Sequence, residues 1–208
     1  MPFGLLKYGL NKTYPAQHHF TPTRDLDKHY DVVIIGAGGH GAAIAYNLAK
    51  YHGVTNIAIL DKGYLGGGNT ARNTAVIRSN YLTEEGVNFY RESVDLYQNL
   101  SNELGYNIMY ENRGQLTLAH SDAAMRSMRW RAEVNSHLGV RSELIDPKAI
   151  EELVPNLRMN PTSRFPILGG LWHADGATAR HDAVVWGYAK GACAVSYTHL
   201  TLPTTPYV

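Results

Sequence analysis

The hydrophobic positions of this chain follow two spacings, one before about residue 82 and one after it. In the first part, short apolar runs at Val32–Ile35 and at 56–60 flank a stretch rich in alanine and leucine at 42–50. Continuous apolar runs of this length are typical of buried parallel strands, so we predict a strand, a helix and a second strand in that order. From 83 to 104, apolar residues recur at every third or fourth position, which predicts an amphipathic helix.

Later elements are predicted from the same spacing together with helix caps and turn residues. Thr83 is the candidate N-cap of the long helix and Gly105 its stop, while Asp146 and Pro147 open a short helix that ends before Pro155. The segments 107–110 and 115–119 flank a turn-forming sequence at 111–114 and predict a hairpin. The remaining predictions are a helix at 121–138, a strand at 167–172 and a final helix at 182–192.

Three glycines lie at the junction between the first strand and the first helix. Gly36 permits the tight turn, Gly38 carries no side chain that would keep the backbone away from a ligand, and Gly41 lets the helix pack closely on the strand. The first turn of such a helix offers N–H groups to negative oxygens. The pattern predicts a site for the pyrophosphate of a dinucleotide, NAD or FAD. The competing interpretation is a glycine-rich turn without a ligand.

An acidic residue and a glycine-rich segment follow the second strand. Asp61 ends that strand about 20 residues beyond the last motif glycine, where a carboxylate is expected to meet a ribose hydroxyl. The next segment, 62–81, is rich in glycine and small polar residues, and it is either a flexible connection or a stretch that lies against the same ligand. Its candidate donors for phosphate or ring oxygens are Asn69, Thr70, Arg72 and Asn73.

Composition narrows the class of protein. A hydrophobic fraction of 44% and a charged fraction of 18% are ordinary for a globular protein. The net charge of +1, without a basic stripe, gives no reason to expect nucleic acid as a partner. The single cysteine, Cys193, excludes a disulfide and a cysteine-rich metal site within the chain, and no apolar run approaches bilayer length. We therefore expect a cytoplasmic protein with no metal site and no membrane partner.

The two ends of the chain depart from the pattern of the rest. Residues 1–29 show no periodicity and contain Pro15 and Pro22, so we expect an irregular N-terminal arm that either wraps a partner subunit or is disordered. Residues 195–208 have neither a helical stripe nor a strand bounded by turns, and their sequence looks like the translation of a sequencing adapter. We expect a non-native tail there, with the native sequence diverging near Ala194; the alternative is a native disordered C-terminus.

The sequence between these ends, 30–194, resembles a known family. GAGGHG at 36–41, GGNTARNT at 67–74, RGQLTLAH at 113–120 and ARHDAVVWG at 179–187 are similar to the beta subunit of heterotetrameric sarcosine oxidase, in the D-amino-acid-oxidase-like group of flavoproteins. The resemblance implies an α/β fold. Residues 30–82 would form an FAD-binding Rossmann-like βαβ domain with its glycine-rich segment. Residues 83–194 would form part of an α+β substrate domain, incomplete in this chain, that contributes to the substrate and second-flavin region.

The resemblance also implies two cofactors. Non-covalent FAD is expected at Gly36, Gly38, Gly41 and Asp61, with the donors at 69–73 nearby. Covalent FMN is expected on His181, which matches the histidine of the family's ARHDAV segment. The residues alone leave His181 open, because a histidine just before a helix is equally well explained as a surface or backbone-bonded residue. His40 is assigned to the turn near the pyrophosphate, and His173 is left unassigned.

The implied activity is oxidation of sarcosine to glycine, with transfer of the one-carbon unit to tetrahydrofolate and formation of hydrogen peroxide, in a hetero-oligomer with the other sarcosine oxidase subunits. This chain is interpreted as an N-terminal fragment of the beta subunit and is expected to be inactive on its own. Two alternatives stay open at this point. One is a related secondary-amine dehydrogenase of the dimethylglycine type, and the other is a non-catalytic flavin-binding subunit.

Overall fold

The structure, a computed structural model, describes residues 27–195 and 199–201. These residues group into two compact units, which are described one at a time: 27–67 with the residues from 188 onward, and 68–187. The first 26 residues of the predicted arm lie outside the described residues. Within the described ranges, no helix combines the length and the apolar character needed to cross a bilayer. The helices and strands are β1 (Val32–Ile35), α1 (Gly39–His52), β2 (Ile57–Leu60), β3 (Val76–Ile77), α2 (Glu84–Leu104), β4 (Glu111–Asn112), β5 (Gln115–Ala119), α3 (Asp122–His137), β6 (Ser142–Ile145), α4 (Pro147–Leu153), β7 (Gly169–His173), β8 (Ala177–Thr178), α5 (His181–Val195) and β9 (His199–Thr201).

The first unit is built on a parallel sheet in the order β1-β2-β9. The predicted strand, helix and strand are confirmed, and β1 pairs with β2 over their whole length, from Val32 opposite Ile57 onward. α1 begins earlier than predicted, because Gly38 takes an extended N-cap conformation directly after the turn. The helix ends where Gly53 adopts a left-handed φ of 68° and its N–H bonds to the carbonyl of Leu48.

Two expectations for this unit are wrong. β1 is half-buried on one face and exposed on the other, since Ile35 is 88% exposed and Val33 is exposed as well, while Ile34 faces Gly41 of α1. No described residue covers the outer face of the strand as α1 covers the inner one. We expected no strand within 195–208, yet His199–Thr201 form β9. This strand pairs in parallel with β2, along the edge of β2 that β1 leaves unpaired. Whether 195–208 is a non-native tail stays a prediction.

The second unit contains two small antiparallel sheets, with orders β5-β7-β6 and β3-β8-β4. The predicted hairpin is wrong, because β4 pairs with β8 while β5 pairs with β7. The chain changes sheets at Gly114, which has a φ of 78° and donates its N–H to the carbonyl of Gly176 at 2.8 Å. Both partner strands lie far along the sequence, so local turn residues did not indicate them. The predicted strand at 167–172 is confirmed as β7, slightly shifted.

The predicted helices of this unit are confirmed, because their end signals are local. The side chains of Thr83, Ser121 and Asp146 accept hydrogen bonds from N–H groups in the first turns of α2, α3 and α4. α3 then packs on the β5-β7-β6 sheet through a small core around Met128 and Leu171. Residues 68–82 belong to this second compact unit. The division into an FAD-binding part that ends at residue 82 and a substrate part that follows it stays a prediction.

Candidate functional site

The turn between β1 and α1 forms a close-packed backbone cradle. Gly36 has a φ of 110°, a conformation that favours glycine, and its N–H bonds to the carbonyl of Leu60 at 2.7 Å. A Cβ added at Gly41 would overlap the carbonyl oxygen of Gly36 and lie 3.4 Å from a methyl carbon of Ile34. The roles predicted for Gly36 in the turn and Gly41 in helix packing therefore agree with the geometry.

The N-terminus of α1 has neither a side-chain cap nor an acidic residue in its first turn. Gly38 is the N-cap and makes no side-chain cap hydrogen bond, and the first turn contains no acidic residue. Helix N-termini attract negative oxygens through their N–H groups and the helix dipole. The residues present therefore fit the pyrophosphate of a dinucleotide. His40 lies exposed in this first turn, between two glycines of the motif that is expected to bind the pyrophosphate.

Asp61 supports this cradle from the end of β2. One carboxylate oxygen accepts the N–H of Ala37 at 2.7 Å, and the other accepts the N–H of Gly63, also at 2.7 Å. The Ala37 carbonyl in turn accepts the N–H of Gly66 at 2.8 Å. Because an ionised carboxylate has about four lone-pair positions, Asp61 retains capacity for a ribose hydroxyl. The sequence predicted the ribose role of this acid but not its two backbone bonds.

The four candidate donors of the glycine-rich segment lie in the second unit, in and beside one turn of 3₁₀-helix, Asn69–Arg72. Two of them, Arg72 and Asn73, make side-chain hydrogen bonds in and beside that turn. Arg72 Nη1 donates to the Gly68 carbonyl at 2.9 Å, Asn73 Nδ2 donates to the Thr70 carbonyl at 2.6 Å, and Asn73 Oδ1 accepts the N–H of Ala75 at 2.7 Å. Their predicted role toward a cofactor stays a prediction.

His181 is the first residue of α5, also in the second unit. Its Nδ1 is buried and has no hydrogen-bond partner within the described ranges. The neighbouring Asp182 accepts hydrogen bonds from Arg180 Nε at 2.8 Å and from the Ala183 N–H at 2.8 Å. Burial opposes ionisation of Asp182, but these hydrogen bonds and the charge of Arg180 hold the pKa of its carboxyl below the usual value. His181 thus presents a buried, unpaired ring nitrogen beside a charged pair, which fits a covalently held ligand.

Sequence reasoning missed a buried polar cluster in the second unit. Ser79, Asn80, Asn135 and His173 are all at most 3% exposed. Burial and the neighbouring Arg78 lower the pKa of Arg131, on the same helix as Asn135. No local pattern announces this cluster, because the polar side chains come from a loop, a helix and a strand. The one available signal was the polar run at 78–80 directly after the apolar pair of β3.

A cleft of about 570 Å³ opens where the end of α3 meets β6 and β7. It is lined by Trp172, Arg141 and Glu143 together with small residues, and Arg141 forms an ion pair with Asp175. None of the sequence-predicted site residues lines it.

Known proteins resemble this chain over most of its length. The model of the family described as FAD dependent oxidoreductase (DAO) matches residues 31–196. A sarcosine oxidase subunit beta from Rhodobacter capsulatus is 49% identical over 166 residues, which is 80% of this chain and 40% of that relative. One from an Arthrobacter species is 44% identical over 165 residues, 79% of this chain and 41% of that relative. The chain thus spans about two fifths of the length of these curated relatives.

The fold comparison agrees with the sequence comparison. The crystal structure of an L-proline dehydrogenase from P. horikoshii is similar with a TM-score of 0.74 and 25% identity, over 88% of this chain and 47% of that one.

Proposed function

Because the chain belongs to the family of FAD dependent oxidoreductases described as DAO, we propose that it forms the FAD-binding part of an amine oxidoreductase of the sarcosine oxidase beta-subunit type. The observation that carries this proposal is the cradle of Gly36, Gly38 and Gly41, held in place by Asp61 and set at the N-terminus of a helix without an acidic first turn. Identities of 49% and 44% to sarcosine oxidase beta subunits favour this function over the dimethylglycine-type and non-catalytic alternatives.

In this proposal the residues of the chain bind and orient the cofactor. The N–H groups of the first turn of α1 hold the pyrophosphate, and Asp61 accepts a ribose hydroxyl while its backbone bonds keep the turn fixed. Asn69, Thr70, Arg72 and Asn73 are the proposed donors for phosphate or ring oxygens of the cofactor. Bound FAD supplies the two-electron oxidation of the N-methyl carbon of sarcosine.

The finer parts of the proposal follow from the family resemblance. FMN is held covalently by His181, the one-carbon unit passes to tetrahydrofolate, hydrogen peroxide is formed, and the assembly is a cytoplasmic hetero-oligomer with the other subunits. The buried Nδ1 of His181, which has no hydrogen-bond partner within the described ranges, supports the FMN assignment, because no other protein group engages that ring nitrogen.

The cofactor assignments are tested by separating bound from covalent flavin. Purified chain is titrated with FAD while flavin fluorescence is followed, and saturable quenching is expected. Acid precipitation of protein expressed with flavin supplied should leave FMN in the pellet, and His181→Ala should abolish this retention while His137→Ala, an exposed histidine at the end of α3, keeps it. Absence of saturable FAD quenching contradicts the proposed FAD site, and equal retention in both variants contradicts the FMN assignment.

The substrate is tested on the complete protein assembled with its partner subunits. Anaerobic sarcosine should bleach the visible flavin absorbance, and air should restore it with formation of hydrogen peroxide. Bleaching by dimethylglycine in preference to sarcosine, with electrons passing to a carrier, supports the dehydrogenase alternative. Unchanged absorbance with both amines supports a non-catalytic flavin-binding subunit.

A further inference from the structure

His173, in β7, is a fully buried histidine with hydrogen-bond partners on both ring nitrogens. Its Nε2 lies 3.3 Å from the backbone N of Ser79 and 3.5 Å from the Ser79 hydroxyl. Its Nδ1 lies 3.0 Å from the carbonyl oxygen of Arg141 and 3.4 Å from the Ser142 hydroxyl. The ring therefore joins β7 to the segment that follows β3 and to the start of β6.

These partners determine which ring nitrogen carries the proton. A backbone N–H can only donate, so Nε2 must accept from Ser79 and cannot itself be protonated. A backbone carbonyl can only accept, so Nδ1 must donate to Arg141. His173 therefore fits its site as the neutral ring with the proton on Nδ1. A second proton on Nε2 would point at the Ser79 N–H and break that bond.

The segment that this ring holds, 78–81, is anchored at each step. The Asn80 amide is fully buried; its Oδ1 accepts from Arg78 Nη1 at 2.9 Å, and its Nδ2 lies 3.4 Å from Gln115 Oε1. The Tyr81 carbonyl accepts from Asn135 Nδ2 at 2.6 Å. The Arg78 guanidinium lies over the Tyr81 ring, 4.4 Å from its centroid. Displacement of Ser79 would therefore move Arg78 and Asn80 with it.

We propose that neutral His173 is a positioning residue, a lock that fixes the segment 78–81 and the guanidinium of Arg78, and that the lock opens when the ring takes a second proton. The inference depends on the geometry of the second unit and not on the cofactor assignments.

The charged groups around the ring set the direction of this dependence. Burial disfavours the protonated ring, and Arg78 and Arg141 oppose it further, whereas the Arg141 carbonyl and Asp175 favour it. The net effect lowers the pKa of His173 below its ordinary value of about 6.5. The closed state thus binds fewer protons than the open one, so the lock is fully stable above the open-state pKa and loses stability as pH falls from there toward the lowered pKa. The equilibrium constant for opening should grow about tenfold for each pH unit in that window.

Amide hydrogen exchange followed by NMR on the full chain tests the lock. The protection of the Ser79 amide, corrected for intrinsic exchange, should fall about tenfold per pH unit below about pH 6.5. The control is the Leu168 amide, which donates to the Ala119 carbonyl at 2.8 Å, and its protection should stay constant over the same range. A parallel loss at both amides would mean general unfolding and would overturn the proposal.

Two substitutions and one spectroscopic measurement separate the lock from plain packing. Gln in His173→Gln can accept from Ser79 but does not titrate, so it should keep Ser79 protected and remove the pH slope. His173→Leu should lose the protection at every pH. An unchanged slope in His173→Gln contradicts the proposal. So does a wild-type ring protonated on Nε2 near neutral pH, read from its nitrogen chemical shifts, which needs no variant to fold.

Discussion

Helix propensity and tertiary packing predict opposite effects of Gly41→Ala on the stability of this protein. In an ordinary helix, Gly→Ala stabilises by about 1 kcal/mol, because alanine has the better helix propensity and restricts the unfolded chain. Here the added Cβ would lie 3.2 Å from the carbonyl carbon of Gly36 and would overlap its oxygen, inside the 3.0 Å limit of real Cβ contacts by about 1 Å. The atom it meets is backbone, which cannot rotate away. Either the helix or the turn must move by about 1 Å.

The size of the effect follows from that displacement. Overpacking of this kind costs about 1–3 kcal/mol, so Gly41→Ala should destabilise the fold instead of stabilising it. For a chain of this length, each kcal/mol shifts the melting temperature by roughly 2–4 °C. A shift of about 1 Å also lengthens the hydrogen bonds from the helix N-terminus to a phosphate. Loss of one such charge-assisted bond, at about 1.5–3 kcal/mol, weakens FAD binding about tenfold or more.

Thermal unfolding by circular dichroism and FAD titration by flavin fluorescence measure the two effects. Gly63→Ala is the matched control, because its Cβ would meet only Asp61 Oδ1, at an ordinary 3.5 Å. That variant should melt within a degree or two of the parent, because its added Cβ makes no close contact. If Gly41→Ala melts higher than the parent and binds FAD equally well, the close approach of α1 to the Gly36 turn does not require glycine at position 41.

Three further substitutions test single features. Asp61→Asn should cost about 1–3 kcal/mol in urea unfolding, because an amide has only one oxygen for the N–H groups of Ala37 and Gly63; an unchanged midpoint would contradict the bracing role. Gly114→Ala should lower the melting temperature and shift the tryptophan emission, because its Cβ would overlap the Trp172 ring at a φ of 78°; emission identical to the parent's would refute this. Thr83→Ala should cost about 1 kcal/mol through the lost helix cap, with Thr83→Ser retaining most of the stability.

The sequence predicted those features whose causes lie within a few residues. Thr83 and Asp146 bond to the first turns of their own helices, so the starts of α2 and α4 are legible from the local sequence. Gly36 is required by the turn and Gly41 by the contact of the helix with that turn. These two residues are only five positions apart, so the sequence predicted the cradle as well. The same reasoning failed for the strand partners, because β5 pairs with a strand around Trp172, whose position depends on the whole unit.

Burial of polar groups was equally out of reach of the sequence. His173 lies 94 residues from Ser79, and nothing in the spacing of either residue indicates the bond between them. The exposure of Ile35 has a related cause. An apolar run shows that a strand can be buried, but the elements that cover each face are set by the tertiary structure.

The two sets of FAD-binding candidates differ in how far they are preorganised. Asp61 is held by two backbone N–H groups at 2.7 Å, so the turn it supports needs little ordering when a ligand binds. The side chains of Arg72 and Asn73 are engaged inside their own turn and must exchange those bonds to reach a ligand. A side chain that exchanges a bond within the protein for a bond to the ligand contributes only the difference between the two bond free energies. The N-terminus of α1 has no side-chain cap to lose when it binds a ligand. Affinity for the pyrophosphate should therefore depend mainly on the cradle of Gly36, Gly38 and Gly41.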